Sequence, residues 1–257
     1  MPNNKLVSQD VPAYQTYEWC YHKYIEERLN YKEIAEEAGC KPRTIQKWCS
    51  ERYGLNRKTI ANLIHLNKRQ KELIIFSLLG DGHISKRDCC FIVSHAENQK
   101  DYCFWKYSIL KNLCHSPPVF REGGVIRTKE GKTYKQQNYY RLTTRKLNDL
   151  VKIVEMDKSE IISQLNEFGL SIHFLDDGSC SNNIWSLCYA SLSDNQKELY
   201  CKILQDRFNI YPHMYKDKRY IGFSKADSKI ISQIILSQLP NNLDIIKYKI
   251  LKEDNYA

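Results

Sequence analysis

Gln70-Lys-Glu-Leu-Ile-Ile-Phe-Ser-Leu-Leu-Gly-Asp81-Gly82 and Leu170-Ser-Ile-His-Phe-Leu-Asp-Asp177-Gly178-Ser179 decide how this chain is read. Each is a mostly apolar run that closes on an Asp-Gly step. That pattern predicts a buried helix delivering its last side chain to one place. The two aspartates stand 96 residues apart, at positions 81 and 177. If the two helices pack together, their carboxylates repel unless a cation lies between them. A carboxylate at a helix C-terminus also opposes the helix dipole, so simple capping leaves both residues unexplained.

The context of the two motifs repeats. Asn98-Gln99-Lys100 recurs as Asn195-Gln196-Lys197, and Tyr102-Cys103 recurs as Tyr200-Cys201, all within a residue or two of the motif spacing. Strand-like alternation follows in each half: 89–94, 119–128 and 137–144, then 184–190, 210–215 and 220–224. Helical stretches are predicted over 145–154 and 226–239. Residues 119–137 carry Gly123-Gly124 and Gly131, which makes them a long hairpin or loop. The half-unit reads α-β-β-α-β-β-α, and its duplication gives an α+β fold with pseudo-two-fold symmetry.

Ahead of it lies a helical block. Tyr14 to Leu29 reads as one helix, Asn30 as the N-cap of a second that ends at Gly39, and Pro42 as the first-turn residue of a third. Ile34, Ala35, Gly39, Ile45 and Trp48 have helix-turn-helix spacing, with Ile45 and Trp48 anchoring the third helix. Its outward positions are Lys41, Arg43, Thr44, Gln46 and Lys47, side chains that suit base edges and phosphates. The plainer reading is a three-helix packing module with a solvated basic face. The domains are therefore 1–60 for the helix-turn-helix with a linker to about 69, and 70–257 for the duplicated part, with half-repeats about 70–158 and 159–257.

Lys and Arg number 39 against 30 Asp and Glu, for a net charge of +9, and 18 Tyr and four Trp accompany them. This balance favours a polyanionic partner such as nucleic acid. A hydrophobic fraction of 42% with ten Gly and seven Pro supports a sizeable core. Met1-Pro2-Asn3-Asn4-Lys5 is no signal segment, and no stretch has the length of a membrane span. The expectation is an intracellular protein, in the cytoplasm of a bacterial or phage-infected cell or in an organelle matrix, with no membrane partner. The ten cysteines include no CxxC pair and no Cys2His2 spacing, so zinc is not expected.

The two motifs and their repeated context resemble the LAGLIDADG homing endonucleases, in the single-chain branch with two motifs, over about residues 68–257. The resemblance implies paired motif helices between two half-domains and β-sheets that saddle duplex DNA. It implies a monomeric, sequence-specific nuclease that cuts both strands across the minor groove and leaves short 3′ overhangs. Mg2+ is the implied cofactor, with Mn2+ as a substitute. Asp81 and Asp177 become the metal ligands and catalytic acids, one per half-site, with the backbone carbonyls of Gly80 and Asp176 beside them. The Asp176 side chain, about 100° further round the helix, points elsewhere. Lys249 matches the C-terminal lysine of the family, and in the first half Lys152 is preferred over Lys158. A solvated surface lysine is the plainer reading of each. DNA contacts are expected from Arg121, Arg127, Lys129, Lys135, Gln137, Asn138 and Arg141, and from Asn183, Lys216, Lys218 and Arg219. Two departures stand out: Phe76 and Ile172 occupy mid-helix positions where the family favours small residues, and His173 replaces a frequent aromatic. A non-cleaving DNA-binding regulator and a maturase acting on intron RNA are the alternatives.

Overall fold

A computed structural model describes residues 12–27, 29–56, 64–127, 131, 133–216 and 219–250. The chain divides into two compact units, Met1–Ile64 and His65–Ala257. Among the described residues no helix is long and apolar enough to cross a membrane.

In the N-terminal unit, α1 (Tyr17–Tyr21) runs on as a wider π-helical stretch, His22–Glu26. Asn30 caps α2 (Tyr31–Glu37): its side chain accepts from the backbone of Lys32 and Glu33, and the Glu33 carboxylate accepts from Asn30 N–H at 2.7 Å. Gly39, at φ +62°, ends that helix in a conformation that L side chains rarely adopt. Pro42 opens α3 (Pro42–Gln46), which continues as a π-helical stretch, Lys47–Arg52. Cys20, Ile34, Ala35, Ile45 and Cys49 form the core. One expectation is corrected here. Trp48 is only half-buried, and Cys49, four residues after Ile45 and so on the same helix face, takes the inward place.

The second unit runs α-β-β-α-β-β-α twice, with a hairpin inserted in the first half and one further short helix closing each half. The first half comprises α4 (Lys68–Ser77), β1 (Gly82–Ser85), β2 (Cys90–Ala96), α5 (Lys100–Leu110), β3 (Val119–Arg121), the hairpin β4 (Val125–Arg127) and β5 (Thr133–Lys135), β6 (Tyr139–Thr143), α6 (Asp149–Ile153) and α7 (Lys158–Ser163). The second comprises α8 (Glu167–Asp177), β7 (Gly178–Ser181), β8 (Ile184–Cys188), α9 (Asp194–Phe208), β9 (His213–Met214), β10 (Tyr220–Gly222), α10 (Lys225–Gln238) and α11 (Asp244–Lys249). Each half forms a four-stranded antiparallel sheet, β1-β2-β6-β3 and β7-β8-β10-β9. The two orders are the same under the repeat.

The repeated Asn-Gln-Lys segment starts a helix in both halves. In the second, Ser193 and Gln196 make a reciprocal capping box on α9. The strands β1 and β7, which leave the motif helices directly, have no hydrophobic alternation of their own. They are held by pairing with β2 and β8, the latter across a two-residue turn whose Asn182 and Asn183 both have positive φ.

The motif helices α4 and α8 are nearly all core. Leu73, Ile74, Ile75, Phe76, Leu170, Ile172, Phe174 and Leu175 are at most 2% exposed. Their close approach is built differently from the expected small residue at mid-helix: Phe76 lies across Gly169, where an added Cβ would stand 2.6 Å from the ring. A second approach falls at the helix ends, where a Cβ on Gly80 would stand 2.6 Å from the Asp176 Cβ.

Candidate active site

The two helix ends reach their aspartates by different routes. After Ser77 the first tightens, with Leu79 N–H bonded to Phe76 C=O and Gly80 N–H to Ser77 C=O, and Asp81 follows just before β1. The second stays helical through Asp177, and β7 begins at Gly178. A Cβ at Gly178 would stand 2.3 Å from the Phe174 carbonyl, so only glycine permits that change of direction.

Asp81 and Asp177 keep their side chains about one-third exposed. They are near enough to interact: burial first, then the charges of Asp81 and Asp176, push the Asp177 carboxyl up to about 7. Burial also raises Asp81, against the pull of Lys106 and Lys249. Two carboxylates that resist ionising side by side are a site in want of positive charge.

Lys249 supplies part of it. Its ammonium donates to the carbonyls of Leu175 and Gly178, each at 2.7 Å, and so caps the C-terminal end of α8. Burial lowers its pKa to about 8, while Asp176, Asp81 and Asp177 work in the opposite direction.

The Asp176 side chain does not point away, as expected, but inward. It is fully buried, accepts from Lys106 Nζ at 2.8 and 3.0 Å and from the Tyr102 hydroxyl at 3.0 Å. Lys106 is fully buried as well, reaches Ser77 Oγ at 3.4 Å and lies over the Tyr102 ring. This pair joins α5 of one half to α8 of the other, and removing one partner of a buried ion pair typically costs about 3–5 kcal/mol. It has no counterpart in the other half: Gly80 stands opposite Asp176, and Leu204, four residues after Tyr200, stands where Lys106 follows Tyr102.

A buried histidine backs each aspartate. His95, from β2, brings Nδ1 to 3.3 Å from Asp81 Oδ2; His173, on α8, brings Nε2 to 3.9 Å from Asp177 Oδ2. Burial pushes both rings down to about 3, and Lys106 adds to the effect at His95 and Lys158 at His173. Both are neutral at neutral pH. Donor atoms of Asp81, His95 and Asp176 lie within 4.8 Å of one another, close enough to surround one cation.

Sequence reasoning thus missed His95, Lys106, Tyr102 and Tyr200. The one signal was the Tyr-Cys echo, which placed the tyrosines at similar distances behind their motifs, 21 residues after Asp81 and 23 after Asp177.

Lys152 is a correction. It is exposed and lines a shallow surface cleft with Leu66, Lys71, Asp149 and Glu160. That is the N-terminal end of α4, ten residues and so roughly 15 Å from Asp81. Lys158, the other first-half candidate, acts electrostatically on Asp177 and donates to Ser191 Oγ at 3.0 Å.

The expected nucleic-acid contacts fall into groups. The register β3-β6-β2 puts Arg121, Tyr139 and Arg141 on one open sheet face, with Arg141 Nε donating to Ser94 Oγ at 3.3 Å. Lys135, Gln137 and Asn138 are exposed beside it; Asn138 pins the loop by accepting from Gly123 N–H and donating to Glu97. Asn183 sits in the β7–β8 turn, and Lys216 and Arg219 are exposed near β9 and β10. Lys129, Lys218 and the side chain of Arg127 lie outside the described residues. In the N-terminal unit Lys41, Arg43 and Lys47 are exposed, and Thr44 and Gln46 are half-buried. Arg43 is held by Gln46 Oε1 and Glu51, both at 3.0 Å.

The sequence profile of the LAGLIDADG DNA endonuclease family matches residues 71–231, both motifs included. The chain belongs to this family. It is similar to DNA endonuclease I-ChuI of Chlamydomonas applanata, 26% identical over 211 residues that cover 72% of this chain and 95% of that protein. Among solved structures, the homing endonuclease I-WcaI bound to its DNA recognition sequence matches with a TM-score of 0.58 at 20% identity, over 73% of this chain and 88% of that one. I-DmoI in complex with DNA and Mn also matches, with a TM-score of 0.44 at 13% identity, over 67% of this chain and all of that one. The sheet orders and paired motif helices are thus those of a LAGLIDADG fold, α+β with a helical region ahead of it.

Proposed function

We propose that this LAGLIDADG protein is a monomeric homing endonuclease that hydrolyses both strands of a specific DNA duplex with divalent metal, Mg2+ or Mn2+, leaving short 3′ overhangs. One observation carries the reading: two pseudo-symmetric helices deliver Asp81 and Asp177 to a shared cluster in which their charges interact. The residues fit a divalent cation, since the donors are hard carboxylate oxygens held in mutual repulsion. When bound, such ions would neutralise phosphate charge, activate water and stabilise the leaving oxygen. Asp81 and Asp177 would hold them, with the Gly80 and Asp176 carbonyls nearest by chain position. Lys249 would fix the end of α8 and keep a cationic group against the phosphate.

The open face bearing Arg121 and Arg141 would lie along one half-site, and Lys41, Arg43 and Lys47 of the N-terminal unit would extend the footprint and add affinity through linkage. Asp81 and Asp177 come from opposite halves, so each would serve one strand. Screening the protein against a duplex library with Mg2+ identifies the target. Asp81→Asn and Asp177→Asn should then each leave a nick, on opposite strands, and the double variant should leave the duplex whole. Undiminished double-strand cutting by the double variant would remove both residues from the chemistry; binding without cutting by the unaltered protein would favour the regulator.

A further inference from the structure

The cluster holds a group that this chemistry leaves without work. His95 projects from the buried face of β2, 2% exposed, with its ring 4.8 Å from that of Tyr102. Neither ring nitrogen makes a hydrogen bond. The Gln99 side chain lies close to the ring and favours its protonated form. A buried polar atom left unpaired forfeits its hydration with nothing in return, so the ring is placed at a loss unless something else binds it.

Its Nδ1 stands 3.3 Å from Asp81 Oδ2. Two donors on one octahedral cation, each at about 2.1–2.2 Å, are separated by roughly 3 Å, so this spacing lets the two share one cation. Asp176, the third member of the cluster, is already taken up by Lys106 and Tyr102. The second half is built otherwise. His173 Nδ1 lies 2.9 Å from the Tyr200 hydroxyl, and Nε2 is 3.9 Å from Asp177 Oδ2. There the tyrosine holds the ring behind the carboxylate.

We propose that His95 supplies a nitrogen ligand to the cation held by Asp81, making the first-half site a mixed oxygen-nitrogen site. The second-half site, around Asp177, takes its protein donors from oxygen alone. Imidazole suits divalent transition ions and adds little for Mg2+, so the first site favours Mn2+ and Co2+ and the second does not discriminate as strongly. The inference rests on the reading of Asp81 as a metal ligand.

Electron spin-echo modulation of the full-length protein loaded with Mn2+ alone tests this directly. A 14N modulation should appear, change to the 15N pattern when the protein is grown with 15N-histidine, vanish in His95→Gln and survive in His173→Gln. The isotope experiment needs no variant, so a poorly folding His95→Gln leaves the test intact. In titrations, His95→Gln should weaken Mn2+ binding by roughly tenfold and Mg2+ binding by less. Mn2+ bound in an Asp81-dependent way with no histidine nitrogen, or with a signal that persists in His95→Gln, overturns the His95 assignment and leaves Asp81 in place. Mn2+ binding untouched by Asp81→Asn overturns the metal reading of Asp81 itself.

Discussion

Asp177 shows what a single residue inherits from its surroundings. Its carboxyl, pushed up to about 7 by burial and by Asp81 and Asp176, must lose a proton before it can hold a cation. For an acid whose pKa is raised in the fold, the neutral form is favoured below that value. Divalent affinity at this site should therefore rise about tenfold per pH unit up to about pH 7 and level off above it. Asp176→Asn removes one of the repelling charges and should move the midpoint downward; calorimetric Mn2+ titrations between pH 5 and 8.5 read both effects. A midpoint unmoved in Asp176→Asn would show that burial and Asp81 set the value without Asp176. At this scale the sequence pointed to Asp81 and Asp177 as candidates, because an apolar run that closes on Asp-Gly is readable from the chain alone. It could not name His95 or Lys106, whose partners lie on other elements: His95 meets Asp81 across the β1–β2 pairing, and Lys106 meets Asp176 seventy residues away. Lys152 went astray for the same reason, since a lysine's reach depends on which end of α4 its helix packs against.

The elements were legible where hydrophobic period and caps agreed. Motif helices, the two long helices behind the Asn-Gln-Lys echo and the alternating strands all followed from that agreement. The short strands β1 and β7 were not, being Gly-His-Ile-Ser and Gly-Ser-Cys-Ser, which pair only because a neighbour is already there. The crossing of α4 and α8 was half legible. Phe76 reads as too large for a close approach, but the space it needs is made at Gly169 on the partner helix. Gly169→Ala should test this fit. In a free helix Ala is worth about 1 kcal/mol over Gly, yet here its Cβ meets a buried ring, and overpacking of that kind costs about 1–3 kcal/mol. Denaturant unfolding should show net destabilisation in Gly169→Ala. The loss should be largely absent when the same substitution is made in a Phe76→Leu background, a coupling visible in the double-mutant cycle. Additive effects would mean that the ring has room to move aside.

Taken as a whole, the second unit is a duplicated fold that has broken its symmetry at the centre and on its surface. The open face of the first sheet carries Arg121 and Arg141, whereas the matching face of the second, through Ser179, Ser181, Ile184, Ser186, Tyr220 and His213, carries no Lys or Arg on its described strands. Both halves nevertheless bury a histidine behind the motif aspartate, and that shared choice has a consequence for the entire fold. His95 and His173 each titrate near 3, far below the 6.5 of an exposed imidazole. For a base whose pKa is depressed in the fold, the stabilising contribution is complete above 6.5 and is lost as pH falls from there toward 3. At pH 4.5 each ring would have withdrawn on the order of 2–3 kcal/mol, a large part of the roughly 5–15 kcal/mol that holds a domain together. Asp177 and Asp81 run the other way, since a raised carboxyl pKa favours the fold as pH falls, but two partly exposed carboxyls offset only part of two buried rings. The urea midpoint of the metal-free protein should therefore drop steeply between pH 6.5 and 4.5. His95→Gln and His173→Gln should each flatten that drop by about half, whatever they do to the midpoint at pH 7. An acid limb equally steep in both variants would place the cause in other groups and leave the two histidines without a role in acid unfolding.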